Sequence, residues 1–265
     1  MKEKIDIIFV VLVYRNCNDL VAFFGSLGKV KGKYKVIVVD AYYDDQSSER
    51  IKIVALSNNS HYIQIPNKGY SYGNNKGIDF AVKNYQFEYL VVSNPDIEII
   101  DFDVESLKKL PVGCYGPDVT TKSGRKQNPM YIKENYFSRY ICYLGLKKNN
   151  RFFFFLGISV NKIQNAIERV FLRKMKIVYQ LHGCFFIFSY DLLEQIMPVF
   201  DEKMFLFAEE SYLAKRLQSL NKKSFFVPII KVKHNEDGSM KYLKNVNKPL
   251  MDSNIYVFEK YYKKG

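Results

Sequence analysis

Glu88-Tyr89-Leu90-Val91-Val92-Ser93-Asn94-Pro95-Asp96 is the stretch whose reading decides the fold. An apolar run of β type stops abruptly at a turn that carries one carboxylate. Such a run reads as a strand of a parallel sheet buried on both faces. In open α/β sheets, ligands bind beyond the carboxyl ends of the strands. Pro95 fixes its own φ and biases Asn94 toward extended backbone, so Asp96 sits on a stiff mount. A carboxylate there can hold a divalent cation against a diphosphate. Asn-Pro-Asp is also ordinary turn chemistry, so the flanking sequence has to decide between the two.

Upstream, Ile5–Val13 is an apolar run interrupted only by Asp6 and reads as the first strand. Tyr14-Arg15-Asn16 follows, then Asn18 or Asp19 as a helix cap, then Leu20, Phe23, Phe24 and Leu27 at helical spacing. Val36–Val39 is a second strand ending in Asp40, a position where a carboxylate meets a ribose or base, or simply caps a turn. His61–Ile65 is a third. The order β-α-β-α-β predicts a parallel sheet with right-handed crossovers. Residues 66–77 then hold three glycines and three asparagines, among them Asn67, Gly69 and Asn75. These glycines let backbone approach a ligand closely, and the asparagines suit sugar or phosphate chemistry. From Ser71 the spacing of Ile78, Ala81 and Val82 predicts a helix. The stretch matches neither a phosphate-binding P-loop nor a dinucleotide fingerprint.

Downstream, Asp103–Leu110 reads as a short helix, 113–117 as a strand or turn, and 124–127 as a hairpin tip. Residues 130–178 break the α/β rhythm. Val160, Ile163, Ile167, Val170 and Phe171 form one apolar helical face edged by Lys162, Arg169 and Arg173. Phe152–Phe155 lies beside Lys147, Lys148 and Arg151. These faces either lie in a bilayer interface or pack on the protein's own core. Then the α/β pattern resumes with a strand over 181–188 entered through Gly183, a helix from Ala208, and a last strand over 222–230. Glu209 and Glu210 open that helix, where acidic residues also serve as plain capping. Leu213 and Leu217, three and seven residues on, place Glu210 on the core-facing side and turn Glu209 away by about 100°. Burial raises the Glu210 carboxyl and the helix terminus lowers it, and the sequence leaves the balance open. His234 follows in a polar loop.

A chain of 265 residues, 48% hydrophobic, can bury a sizeable core. Its four cysteines show neither metal nor disulfide spacing, which fits a reducing cytoplasm. No stretch approaches a membrane span or a signal peptide. The net charge of +13 is uneven: residues 122–178 hold thirteen Lys/Arg against two Glu, a local +11. Nine aromatics lie between Tyr131 and Phe155. A basic segment attracts nucleic acid or anionic lipid, and the aromatic admixture favours a membrane interface.

The order of these motifs resembles the inverting family 2 glycosyltransferases of the GT-A fold, in particular their bacterial rhamnosyltransferase-like branch. The matching residues are Tyr14, Asp40, Asn67-Lys68-Gly69, Asn75-Lys76-Gly77, Asn94-Pro95-Asp96, Gly183, Phe200-Asp201-Glu202 with Phe205, Glu209-Glu210, and His234 with Gly238 and Ser239. Each is weak alone; counted as seven motifs, with the two Asn-x-Gly segments as one and Phe200 through Glu210 as one, they are specific in this order. The family's Tyr-Asn becomes Tyr14-Arg15, its catalytic Asp becomes Glu210, and one carboxylate, Asp96, remains of a two-carboxylate metal motif.

The resemblance implies a nucleotide-binding, mostly parallel sheet flanked by helices, with a basic-aromatic helical insert. It implies one GT-A domain over 1–265: a nucleotide-sugar half (1–120), the insert (121–180), and an acceptor-side half with a C-terminal helix (181–265). It implies a nucleoside-diphosphate sugar as donor and a glycan, lipid-linked, as acceptor. Tyr14 and Asp40 would hold the nucleoside, with Asn67, Gly69, Asn75, Asn94, Gly183 and Asp201 also on the substrates. Asp96 and His234 would carry a weakly held Mn2+ or Mg2+. Glu210, or else Glu209, would be the base. The enzyme would sit in the cytoplasm, peripheral at the inner face of the plasma membrane. A nucleotidyltransferase would need a glycine-rich basic loop after the first strand, where Tyr14-Arg15-Asn16 has no glycine. A nucleic-acid-binding protein would explain the charge but not acidic residues in a cleft, which repel phosphates.

Overall fold

The structure is a computed structural model that describes residues 3–169, 176–236 and 247–263. Chain order in the first half is β1 (Glu3–Val13), α1 (Cys17–Ser26), β2 (Val30–Lys31), β3 (Tyr34–Tyr42), α2 (Asp45–Ser57), β4 (His61–Pro66), α3 (Tyr70–Asn84) and β5 (Tyr85–Ser93). β1 lies between β3 and β5 and runs parallel to both. Its residues Ile7 to Val11 are fully buried. Ile7, Phe9 and Val11 enter the core under α1 and α2, while Ile8 and Val10 enter the core under α3. A strand covered on both faces needs an unbroken apolar run, and that is what 7–13 supplies.

The second half continues the same sheet with β6 (Ile97–Asp103), β7 (Cys114–Thr121), β8 (Lys176–Val178), β9 (Phe185–Ser189) and β10 (Ser224–His234). The order is β2-β6-β10-β7-β9-β5-β1-β3-β4, with β8 paired to β10. β9 is antiparallel to both β5 and β7. The expected mostly parallel sheet is therefore joined to a mixed one at the β5–β9 edge. The helices of this half are α4 (Tyr136–Lys147), α5 (Arg151–Arg169), α6 (Tyr190–Ile196), α7 (Glu209–Ser219) and α8 (Asn247–Tyr262).

Several boundaries differ from the sequence reading. Residues 103–110 form only a 3-10 turn, Val104–Ser106, after β6, whose Ile97, Ile99 and, past a register shift, Phe102 enter the core. Asn16, not Asn18 or Asp19, precedes α1. β9 begins at Phe185, leaving 181–184 as irregular backbone. β10 runs on to His234 through a register shift between Val227 and Lys231. That shift accommodates Pro228, which cannot donate to a ladder.

The glycines and asparagines of 66–77 also serve differently from expectation. Asn74 and Asn75 are buried inside α3. A Cβ at Gly77 would lie 2.3 Å from Val10 Cγ1 and 2.8 Å from Val39 Cγ2, and one at Gly73 2.4 Å from Leu12 Cδ1. The close approach is helix to sheet, not backbone to ligand. It draws α3 onto the C-terminal halves of β1 and β3 and so fixes the loop that precedes it.

α4 and α5 pack together, with Gly145 and Gly157 at the crossing. α8 covers α4, stacking Phe258 on Tyr143 at 4.3 Å between ring centroids. The apolar stripe of α5 does not turn inward. Phe152 is 71% exposed and Ile163 64%, with Phe155, Leu156 and Ile167 also on the surface. Lys147 is tied to Glu259 at 2.7 Å. Val170, Phe171 and Arg173 lie outside the described residues, as do Gly238 and Ser239.

Gly77→Ala tests the packing of α3. Alanine is the better helix former by about 1 kcal/mol, yet overpacking against two β-branched side chains costs about 1–3 kcal/mol. Urea unfolding should therefore show a net loss of stability. A neutral or stabilised variant would mean that α3 is not seated this closely.

Candidate active site

A cavity of ≈ 540 Å3 opens where β1 and β5 end, bounded by 181–184 and by the start of α7. Asp96 stands at its floor. The turn that carries it is fixed on two sides: Asn94 N–H donates to the Cys184 carbonyl at 2.9 Å, and Asn235 N–H donates to the Asp96 carbonyl at 2.9 Å. The Asp96 side chain is 3% exposed. Its Oδ2 lies 3.3 Å from His234 Nε2, and its Oδ1 is buried with no hydrogen-bond partner.

The tautomer of His234 follows from its neighbours. Gln127 Nε2 donates to Glu236 at 3.0 Å, which turns Gln127 Oε1 toward His234 Nδ1 at 2.8 Å. An amide oxygen only accepts, so Nδ1 carries a proton and Nε2 is the nitrogen turned to Asp96. Nε2 and a carboxylate oxygen at this distance share a proton or a cation, and Asp96 Oδ1 still lacks a donor. The pair thus fits a divalent cation, with the histidine oriented by an outer amide. His234 closes a strand and is buried, rather than standing in a polar loop.

Facing this pair is the start of α7. Phe207 and Ala208 have left-handed φ values of 72° and 65°, a sharp turn that aims the first helical residues into the cavity. Glu209 is 5% exposed and its Oε1 has no partner. Burial, then the neighbouring Glu210, pushes its carboxyl up to about 8. Glu210 accepts from Gly183 N–H at 3.2 Å. Burial raises its carboxyl too, against the pull of the backbone N–H groups at Glu210 and Gly183. The sequence left open whether burial or the helix terminus would win; burial wins. A Cβ on Gly183 would meet Glu210 Oε1 at 2.7 Å, so glycine there is what lets the carboxylate lie on the backbone.

The expectation that Glu209 turns away from the core is corrected. Both carboxylates border the cavity, and Glu209 is the more buried. Side chains of a first helical turn reach past the helix end, so the 100° rotation between neighbours does not separate them as it would mid-helix. Leu213 and Leu217 do form the buried face below. Glu210 differs in bordering also a second cavity of ≈ 270 Å3, walled by Tyr131, Arg139, Tyr143 and Phe258.

Of the other anticipated residues, Tyr14, Asn67, Gly69, Asn94 and Gly183 line the larger cavity. Gly69, at φ 97°, lies so close to Phe205 that a Cβ would fall 2.1 Å from its carbonyl oxygen. Three do not line it. Asp40 is buried under it, accepting from Tyr62 OH at 2.7 Å. Asn75 brackets Phe200, donating to its carbonyl at 2.9 Å and accepting from its N–H at 3.1 Å. Asp201 holds α8 through Tyr256 and Lys260, at 2.7 and 2.6 Å. These side chains shape the walls rather than the opening.

Sequence reasoning missed Arg125, Gln127, His182, Cys184 and Glu236, all at the cavity. The hairpin tip at 124–127 was legible, as Gly124 N–H donates to the Thr121 carbonyl. Nothing local shows that it folds back onto the strand end at His234.

The carboxyl pair makes stability pH-dependent. A Glu held protonated up to about 8 when folded, but ionising near 4.5 when unfolded, binds more protons in the native state between those values. Stability from this group is complete below about 4.5 and falls as pH rises toward about 8. Chemical denaturation across that window should show this decline, and Glu209→Gln should flatten it. An unchanged slope in Glu209→Gln would refute the assignment.

No protein-family model matches the chain. Over 103 residues it is 29% identical to the low-salt glycan biosynthesis hexosyltransferase Agl10 of Haloferax volcanii, spanning 38% of this chain and 31% of that protein. Among solved structures, GalNAc-T7 with UDP, GalNAc and Mn2+ superposes with a TM-score of 0.62 at 12% identity, covering 96% of this chain and 48% of that one. TarS 1-349 of S. aureus in complex with UDP gives 0.55 at 15% identity, over 86% and 60%. The chain spans less than two thirds of each of these proteins. The likeness establishes the fold, which is the GT-A arrangement expected from the sequence.

Proposed function

We propose that this chain is an inverting glycosyltransferase, close to the family 2 rhamnosyltransferase-like branch. It would move a sugar from a nucleoside-diphosphate donor to a glycan hydroxyl on a lipid-linked acceptor in bacterial surface polysaccharide synthesis. One observation carries this reading: the Asp96–His234 pair and the Glu209–Glu210 pair face one cavity at the strand ends. The relatives support it, since a hexosyltransferase and UDP-bound structures are among them. Residues 1–120 would serve the donor, 121–180 and 181–265 the acceptor.

Asp96 and His234 would hold a divalent cation, Mn2+ or Mg2+, which when bound neutralises charge on the leaving diphosphate. Tyr14, Asn67 and Asn94 would line the donor. Glu210 borders both cavities, so it stands where donor and acceptor meet. The acceptor oxygen attacks the anomeric carbon from the side opposite the diphosphate. The carbon–oxygen bond to the diphosphate breaks, the electron pair leaves with it, and the acceptor proton passes to Glu210. One displacement inverts the anomeric centre. A raised carboxyl makes a stronger base near neutral pH.

Among the described residues no helix is long and apolar enough to cross a membrane. Peripheral attachment at the inner face of a cytoplasmic membrane is supported instead by the exposed stripe of α5. Phe152, Phe155, Ile163 and Ile167 project beside exposed Lys148, Arg151 and Lys162. Such a face binds by apolar burial plus attraction to anionic lipid.

Glu210→Gln should cut sugar transfer by about 10² to 10⁴ while leaving donor binding intact, and Glu209→Gln should cut it less. Single-turnover assays with donor affinity measured in parallel check this. If Glu209→Gln is the more damaged with its fold intact, the base is wrongly assigned.

Liposome flotation tests the surface. Reversing Lys148, Arg151 and Lys162 to Glu should weaken binding to anionic vesicles about a hundredfold or more, at about 1 kcal/mol per charge. Replacing Phe152, Phe155 and Ile163 by Ser should weaken it at high salt as well. Unaltered flotation of both variants would exclude this face.

A further inference from the structure

The smaller cavity holds a positive charge that the proposed transfer does not use. Arg139 of α4 stands in its wall, partly buried, together with Glu210 and Ser211 at the start of α7. Its guanidinium donates to Ser211 Oγ at 3.2 Å and to Gln180 Oε1. It also lies over the rings of Tyr179 and Tyr131, at 5.0 and 5.8 Å from their centroids. All four partners are neutral. The two hydrogen bonds engage two of the five N–H donors of an arginine and leave three. Among the described residues no carboxylate pairs with Arg139. Glu134, which accepts from the neighbouring Tyr179 at 3.2 Å, is tied to Lys215 at 3.1 Å. Arginine cannot shed its proton to escape burial. A guanidinium partly withdrawn from water among neutral groups is a cost until an anion meets it.

We infer that Arg139 recognises the acceptor by gripping a phosphate in the link between its sugar and its lipid. The lining of the cavity runs from Glu210 and Ser211 on α7 to Phe154 and Ile158 on α5. The outer face of α5 carries the exposed Phe152, Phe155 and Ile163. An acceptor with its hydroxyl at Glu210 and its lipid directed toward that face has its linking group between the two, in the cavity that Arg139 walls. Ser211 follows Glu210 in the chain, so the guanidinium that donates to it lies beside the base. The planar fork of arginine pairs two phosphate oxygens at once, which fixes orientation as well as charge. A neutral sugar alone brings no counter-charge. The inference rests on the reading of this cavity as the acceptor's, but its test needs no sugar transfer.

The full chain is titrated by calorimetry in metal-free buffer with three compounds. One is glucose joined to a geranyl chain through a diphosphate, the second is glucose joined to the same chain through a neutral ether, and the third is glucuronic acid joined through that ether. The diphosphate compound should bind about tenfold to a hundredfold more tightly than the neutral ether, the usual gain from hydrogen bonds to a charged group. Arg139→Gln should erase that preference while the neutral ether still binds. Arg139→Lys should retain part of it, because lysine keeps the charge and loses the fork. Folded Asp96→Ala should keep it whole, since the phosphate in question is not the one at the strand ends. The inference is overturned if the diphosphate compound does not bind or binds no better than the ether, or if the preference survives in folded Arg139→Gln. It is overturned equally if Asp96→Ala abolishes the preference, or if the glucuronic acid compound gains as much, which would put the anion on the sugar. Should the glutamine variant not fold, an undiminished preference in Arg139→Lys overturns it as well. A chain that shows the preference but moves no sugar in a parallel transfer assay would instead count against the proposed reaction alone.

Discussion

Three carboxylates, Asp96, Glu209 and Glu210, line one cavity, two of them buried, and the rest of the architecture has to make that tolerable. Burying a carboxylate costs several kcal/mol unless a proton, a hydrogen bond or a cation answers it. The structure answers each in a different way. Asp96 is set against His234, Glu210 rests on the Gly183 N–H, and Glu209 keeps its proton to higher pH. None of these fully satisfies the group, since Asp96 Oδ1 and Glu209 Oε1 stay without partners. Unsatisfied polar groups at the mouth of a sheet mark a place built for charge that arrives with a ligand.

The stability that offsets this cost comes from the strands beneath. β1 and β5 are buried almost throughout, and Phe9 meets Phe23 and Phe102 edge to face, with Phe185 tilted against it, under the first layer of helices. The glycines of α3 bring that helix against the opposite face at close range. A rigid platform on both faces holds the Asn94–Asp96 turn in one place, and the antiparallel β9 then delivers 181–184 to it from the other half of the sheet. Preorganised groups in a site of low dielectric act more strongly than the same groups in water.

The helical half answers a different demand. It does not complete the sheet; it walls the second cavity and carries an apolar stripe outward. Glu210 borders both cavities, and through it this half meets the strand-end site. The basic residues around the stripe have lysine-rich company, but Lys147 is withdrawn into an ion pair with Glu259, so the net charge of the segment overstates what the surface presents.

How much of this the sequence decided by itself can be read residue by residue. The apolar run of β1, the strand that carries Asp40 (though it runs on to Tyr42), the turn at Asp96 after β5, the helix over 70–84 and the amphipathic α5 follow from short-range patterns, because periodicity and turn chemistry act over a few residues. The Asn94-Pro95-Asp96 turn and the Glu209-Glu210 helix start were legible for the same reason. The roles of Asn75 and Asp201 were not, since a side chain that brackets a loop 125 residues away leaves no local mark. Nor did sequence show that His182, Cys184, Gln127 and His234 meet. They lie on a hairpin tip, an irregular entry and a strand end, and only the pairing of β7, β9 and β10 in one mixed sheet brings them together. Whether Glu209 faced the cavity was likewise a tertiary decision. The left-handed turn at Phe207 and Ala208 sets the direction of the helix end, and that turn is held by Gly69 against Phe205, with Tyr70 N–H donating to the Phe205 carbonyl at 2.7 Å.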